Sequence, residues 1–437
     1  MAEFAFRIRL PVSSQPFHVK PCPHVTASPQ IAQSAVSLQR EATPHIVDRQ
    51  ARCLVKIADI SVVQVSLPDS RRKTESRRAS WAQDAEVANP MSWYPKVKRH
   101  RSLWLPAWEG AWVKATAEDG TYGLGPLDSA PVVTAVVTHL AEHLVGEECM
   151  AVERAADMMF RLTKPYGTVG LASHAISGID LALWDLKGKL LDRPVYSLLG
   201  GPQKDRIFCY ATGNDYDWYK ELGFRAFKLA CPYGPADGLD GLLRNEAFVA
   251  RAREIVGDDS ELMLDCWMAF DVEYAVRLAK ILRPYRLNWM EECLIPEDLD
   301  AHVALRQRLP WQTLATGEHW YTHVPFQWAV RHRVADILQP DISWCGGLTT
   351  AQRIAATADS GGVQVILHGG GNTPFGQHFT YATRASRWCE CFVSAPPGVP
   401  PEESARLPGQ TIPRDGWIVP SDGPGFGLDI PPHWITR

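Results

Sequence analysis

The sequence predicts an α/β protein: a (β/α)8 TIM-like barrel preceded by an α+β domain. Three observations carry this. From Arg206 onward, short apolar runs alternate with loops and amphipathic helical stretches in eight successive units, the repeat of a βα barrel. Three of those runs end in acid in phase: LMLD at Asp265, LNWMEE at Glu291 with Glu292 beside it, and LATGE at Glu318, separated by 26 and 27 residues. Upstream of residue 200 the order is different, with strands first and helices after them.

The boundaries follow from composition and periodicity. Residues 1–53 hold six prolines (Pro11, Pro16, Pro21, Pro23, Pro29, Pro44) and little apolar periodicity, and read as a disordered extension. The prolines argue against the amphipathic helix of a mitochondrial transit peptide, so the cytoplasm is the expected location. Residues 54–200 form the α+β domain. Its first strand lies in VKIADISVVQVSL, residues 55–67, which alternates in its second half. A basic segment from Asp69 to Arg101 follows, to be read as a solvated loop or as a lid over an anionic ligand. WVKATAEDGTYGLG carries a DG turn between alternating residues and predicts a hairpin. Helical patterns follow at 130–145, 150–162 and 172–191. The barrel occupies 201–394, with strands in IFCYATG, FRAFKLA, ELMLDCW, LNWMEEC, TLATGEH, ADILQPD, VQVILHG and WCECFVS. The Pro- and Gly-rich tail, 395–437, is expected to pack back on the first domain.

Composition narrows the function. The chain has 437 residues, 46% hydrophobic and 22% charged, enough for two or three domains with a full core. A net charge of -4 gives no basic surface for nucleic acid, and no apolar run nears the ~20 residues that span a bilayer. Ten cysteines without CxxC pairs read as buried thiols in a reducing compartment, with Cys389 and Cys391 on one face of a strand around Glu390. The expected partner is a small molecule, and the chain is expected to form a homo-oligomer.

In a βα barrel the chemistry gathers where strands end. That rule selects Lys228, Asp265, Glu291, Glu318, Asp341, His368 and Glu390, one for each strand from the second to the eighth. Oxygen ligands converging from Asp265, Glu291 and Glu318 suit a hard divalent cation such as Mg²⁺; taken singly, each could instead cap a helix. Asp341, in QPD, and His368, in ILHGGG, are 27 residues apart, which puts the carboxylate beside the imidazole on the next strand. Such a carboxylate orients the ring and raises its basicity. Metal and base together suggest proton abstraction next to a carboxylate.

These residues, with Lys228–Leu229, resemble the mandelate racemase branch of the enolase superfamily. Within it, LMLDCWM, WMEEC, GEH, QPDISWCGGLTT and LALWDL are similar to the acid-sugar dehydratases that act on L-rhamnonate, over about residues 55–430. The resemblance implies that the first domain caps the barrel and encloses an acid sugar. It also implies one Mg²⁺ on Asp265, Glu291 and Glu318, His368 as general base with Asp341 behind it, and Glu390 steadying the substrate carboxylate or intermediate. Arg101, in RHRSLW, matches the substrate arginine of the capping domain, and Glu292 a supporting position. Related racemases carry K-x-K on the second strand; here Lys228, Leu229 and Ala230 leave only the first lysine, expected to contact the substrate. Ser80 stands where a substrate-binding histidine is expected, and the loop after His368 reads GGGNTPFGQH.

The implied reaction is syn dehydration of L-rhamnonate to 2-keto-3-deoxy-L-rhamnonate. The alternatives are another aldonic acid or, with Ala230 against it, a C2 racemase or epimerase. A glycosidase using Glu291 and Glu318 would have no need of Asp341 and His368. A barrel kept only for binding would have no need of the carboxylate triad.

Overall fold

The structure is a computed structural model and describes residues 55–66, 73–83, 85–96, 110–128, 130–404 and 406–436. The expected extension over 1–53 lies outside these, as do Arg71, Arg72 and Arg101.

The first domain is built as its sequence order implies. β1 (Ile57–Val65), β2 (Gly110–Ala117) and β3 (Tyr122–Asp128) form an antiparallel sheet. The DG turn joins the last two: Gly120 takes φ +86° and donates its N–H to Ala117 O at 3.0 Å. α1 (Pro131–Leu144), α2 (Val152–Leu162) and α3 (Leu171–Leu190) follow. α3 is buried on almost every side, because it lies between the sheet and the barrel. Close approach requires glycine on the sheet: a Cβ on Gly125 would sit 2.0 Å from Gly178 O of α3.

Beyond a short helix, α4 (Val195–Leu198), the eight predicted strands all form. They are β4 (Ile207–Thr212), β5 (Ala226–Ala230), β6 (Glu261–Asp265), β7 (Met290–Glu291), β8 (Leu314–Thr316), β9 (Ile337–Leu338), β10 (Gln364–Val365) and β11 (Trp388–Phe392). They pair in parallel in chain order, and β11 returns to β4. β10 and β11 share no ladder; there Gly371 N–H donates to Glu390 O at 2.7 Å. The result is a barrel-like curled sheet of eight strands.

Strand alternation decides what faces inward. Tyr210, Ala226, Met263, Trp289, Ala315, Ile337 and Ile366 pack together in one buried cluster inside the sheet. Phe227, Leu229, Leu262, Leu264, Cys389 and Cys391 belong to the other layer, against the surrounding helices. Lys228, Asp265 and Glu390, in phase with the inner residues, are therefore carried to the interior.

The tail contributes to both sheets. β12 (Trp417–Ile418) pairs antiparallel with β4, and β13 (Ile435–Thr436) pairs with β1. Between them, Phe426 N–H donates to Asp185 Oδ1 of α3 at 2.9 Å, and Val195 N–H to Gly425 O at 2.7 Å.

α3 also meets the helix that follows β9, α10 (Gly347–Gly361). Thr349 N–H donates to Asp180 Oδ2 at 3.0 Å, Gly346 N–H to Ser177 Oγ at 2.9 Å, and Trp184 Nε1 to Thr349 Oγ1 at 2.9 Å. Asp180 thus caps the N-terminal end of α10. Gly347 lies at φ +83°, and a Cβ there would meet Asp180 Oδ2 at 2.4 Å. Gly347→Ala should therefore lower stability by more than about 1 kcal/mol, seen as a clear drop in melting temperature. Gly362→Ala is the useful comparison, because its φ is also positive (+70°) but a Cβ there meets nothing within 4 Å. Equal losses in the two variants would mean that the contact with Asp180 contributes nothing.

Candidate active site

The structure brings Lys228, Asp265, Glu291, Glu318, Asp341, His368 and Glu390 into one cluster. Asp265, Glu291 and Glu318 each offer an oxygen, and the three oxygens lie within 4.8 Å of one another. Glu291 is 1% exposed. It accepts from Lys228 Nζ, from Trp289 Nε1 at 2.8 Å and from Gln339 Nε2 at 2.7 Å. A carboxylate has about four lone-pair sites, so one remains for a cation. An all-oxygen donor set fits a hard divalent ion. Glu292, Glu318 and His319 also lie close enough for a cation, but His319 Nδ1 is hydrogen-bonded to Glu292 Oε1 at 2.8 Å, and the all-oxygen set is the better match.

Local backbone strain gathers here. Trp267, Met268 and Glu292 take φ of +42°, +61° and +42°, just beyond the ends of β6 and β7. Left-handed conformations at bulky residues are costly and persist only where their surroundings enforce them. The Trp267 N–H donates to Asp265 Oδ1 at 3.0 Å, which fixes that carboxylate.

His368 Nδ1 meets Asp341 Oδ2 at 2.8 Å, and its Nε2 lies 3.3 Å from Glu318 Oε1. The other Asp341 oxygen accepts from Ser343 N–H at 2.6 Å. With Nδ1 donating to Asp341, Nε2 is the nitrogen left to handle protons near Glu318. Burial by itself pushes the imidazole down; the charge of Glu318 and the hydrogen bond to Asp341 more than offset it, to about 10. Burial likewise raises Glu318 to about 7, against the pull of His368, and raises Glu291 against the pull of Lys228.

Three residues meet partners that the sequence did not indicate. Lys228 is 0% exposed and presents its ammonium to Glu291, to Glu390 at 2.6 Å and to Asp265 at 3.6 Å. It is the counter-charge of the cluster. Glu390, also 0% exposed, accepts from Thr212 Oγ1 at 2.5 Å and Gly369 N–H at 2.8 Å. Those partners and Lys228 hold its carboxylate within the cluster. Ser80 Oγ donates to Asp215 at 2.8 Å, and Arg78 pairs with Asp215 and Asp217. Arg78 and Ser80 of the basic segment are thus bonded to the first βα unit of the barrel. Arg101 lies outside the described residues.

Reading the sequence missed several participants. Gln339 and His319 stand inside motifs already singled out, QPD and GEH, but neither carries a charge pattern that marks it. Trp344 packs 5.2 Å from His368 and 5.6 Å from His319, and His174 of α3 stacks on it at 5.7 Å with planes 6° apart. Helical spacing alone gave no reason to separate His174 from the buried face of α3.

Residues 216–434 match the enolase C-terminal domain-like family, and residues 110–200 the N-terminal domain of the mandelate racemase / muconate lactonizing enzyme family. The chain is 41% identical over 359 residues to the L-rhamnonate dehydratase of Saccharopolyspora erythraea, covering 81% of this chain and 92% of that one. The chain belongs to the L-rhamnonate dehydratase family of the enolase superfamily. A crystal structure of the family's member from Gibberella zeae, complexed with Mg, superposes with a TM-score of 0.79 at 32% identity, covering 87% of this chain and 95% of that one. The 3,6-anhydro-D-galactonate cycloisomerase of Zobellia galactanivorans is similar at TM-score 0.67 and 26% identity, over 87% of this chain and 100% of the other. Like the composition, the structure offers no membrane span: no helix among the described residues is long and apolar enough to cross a bilayer.

The electrostatics predict how this family site responds to pH. A carboxylate must be deprotonated to hold a cation, and Glu318 is raised to about 7. Mg²⁺ binding should therefore release protons and weaken as pH falls through about 7, measured by calorimetry in buffers of different ionisation heat. A flat affinity between pH 6 and 9 would exclude Glu318 as a ligand. A cation on Glu318 also removes the charge that raises His368, so the imidazole should titrate at lower pH with Mg²⁺ present, visible in its ¹⁵N shifts.

Proposed function

We propose that this chain is a hydro-lyase that converts L-rhamnonate to 2-keto-3-deoxy-L-rhamnonate and water, with Asp265, Glu291 and Glu318 holding one Mg²⁺. Family membership and the acidic cluster support this reading. The observation that carries it is the single base: His368 stands with Asp341 behind it, while the one lysine of the second strand is buried among carboxylates. A racemase needs a proton-handling group on each face of the reacting carbon, and Lys228 is committed elsewhere.

When bound, the cation supplies positive charge against the negative charge that develops on the substrate carboxylate. His368 Nε2 removes the C2 proton, and the C–H electron pair moves toward the carboxylate. Asp341 holds the Nδ1 proton and stabilises the imidazolium that results. That imidazolium gives its new proton to the departing C3 hydroxyl, which leaves as water while the C2–C3 double bond forms. One group serves both steps, so hydrogen and hydroxyl leave from the same face. The enol product then tautomerises to the 2-keto acid. Arg101, by the family resemblance of RHRSLW, is assigned to a substrate hydroxyl or carboxylate.

Turnover of L-rhamnonate with Mg²⁺, read as formation of the 2-keto-3-deoxy acid, tests the reading directly. His368→Asn should remove both dehydration and exchange of the C2 proton with solvent deuterium, each by at least about 10²–10⁴-fold. Exchange that persists in that variant would reveal a second base and sink the one-base mechanism. Asp341→Asn should lower activity and shift its pH profile, because the ring loses the charge that holds its proton. Arg101→Lys should reduce kcat/KM while Mg²⁺ affinity is unchanged; identical kinetic constants would remove the arginine from the substrate site.

A further inference from the structure

One large apolar side chain beside the base has surface to offer. Phe392 closes β11, two residues past Glu390, and is 40% exposed although its ring lies 5.6 Å from the His368 imidazole at 72°. Its position is fixed from both sides by one amide. Asn372 Nδ2 donates to Phe392 O at 2.8 Å, and Asn372 Oδ1 accepts from Phe392 N–H at 2.8 Å. Asn372 belongs to GGGNTPFGQH, the segment after His368 that departs from the family pattern. The tail holds this residue in turn, through Gln410 Nε2 donating to Asn372 O at 2.5 Å. His368 is thus flanked by two aromatic rings. Trp344 is the other, and it is occupied by His174 and His319 as well as by the base. Phe392 is the more exposed of the two.

A phenyl face offers no hydrogen bond. In L-rhamnonate C1 is a carboxylate and C2 to C5 each carry a hydroxyl; only C6 is a methyl group. A hydroxyl pressed against the ring would lose water and gain no partner, whereas a methyl group gains from leaving water. We propose that Phe392 is a specificity-determining residue that receives the C6 methyl of the substrate, and that Asn372 is the positioning residue that holds it there. This assignment rests on the dehydratase reading. One methyl group in an apolar pocket discriminates by about 10–200-fold, and a half-open wall belongs at the low end of that range.

The test compares kcat/KM of the full chain with Mg²⁺ on three acids: L-rhamnonate, L-mannonate, which differs by a C6 hydroxyl, and the five-carbon analogue that lacks C6. The wild type should prefer L-rhamnonate by about tenfold. Phe392→Ala should lower L-rhamnonate turnover by about tenfold and leave the five-carbon acid nearly unchanged, so that the preference collapses. Phe392→Leu should keep the preference, and Asn372→Ala should lose part of it. A uniform fall on all three acids would mean the ring only supports His368, and an unchanged preference would mean it touches no substrate; either result overturns the assignment. Dissociation constants in a His368→Asn background give a second readout without turnover: Phe392→Ala should there erase the difference between L-rhamnonate and the five-carbon acid. If the wild type turns over none of the three, the dehydratase reading itself fails; if it does and Phe392→Ala keeps the preference, only the role of Phe392 falls.

Discussion

Four carboxylates, Asp265, Glu291, Glu318 and Glu390, share the end of the barrel interior with a single ammonium, Lys228. Like charges a few ångströms apart repel strongly where water is excluded, so this cluster is the constraint to which the surrounding residues answer. Lys228 contacts three of the four. The buried side chains of Trp289, Gln339 and Thr212 all point hydrogens at carboxylate oxygens. What remains is negative charge facing the candidate cation site. The arrangement also explains the lone lysine. A lysine used as internal counter-ion keeps its proton, since the carboxylates around Lys228 outweigh burial and raise it well above its ordinary value, and it has no freedom to act as a base.

The second dependence runs between the two domains. α3 supplies Ser177, Asp180 and Trp184 to the turn that opens α10, and His174 to the face of Trp344. That turn begins at Asp341, the partner of His368. The surroundings of His368 are therefore set partly from the first domain. Asp180 sits fully buried, and burial raises its carboxyl to about 7 despite the bond from Thr349. Its Oδ1 has no hydrogen-bond partner, a cost accepted where the other oxygen caps the helix that follows the Asp341 turn.

The eight-strand repeat, the antiparallel hairpin and three helices before it, and the seven strand-end residues of the site can all be read from the linear pattern. These were legible because they depend on periods: alternation within a strand sends Lys228, Asp265 and Glu390 inward, and a repeat of 22 to 27 residues returns each carboxylate or imidazole to the same end of the barrel. What each side chain meets once there depends on the packing of elements distant in the chain. Lys228 turned to Glu291 and Glu390, Ser80 to Asp215, Asn372 to Phe392, and Trp344 to a histidine of the first domain. These pairings join residues from 20 to 170 positions apart, across gaps of about 3 Å between polar atoms and 5 to 6 Å between rings. Hydrogen bonding and ring packing act only over such distances. A linear pattern carries the direction of a side chain but not the position of its neighbour across the barrel, and so the identity of each partner waited for the fold.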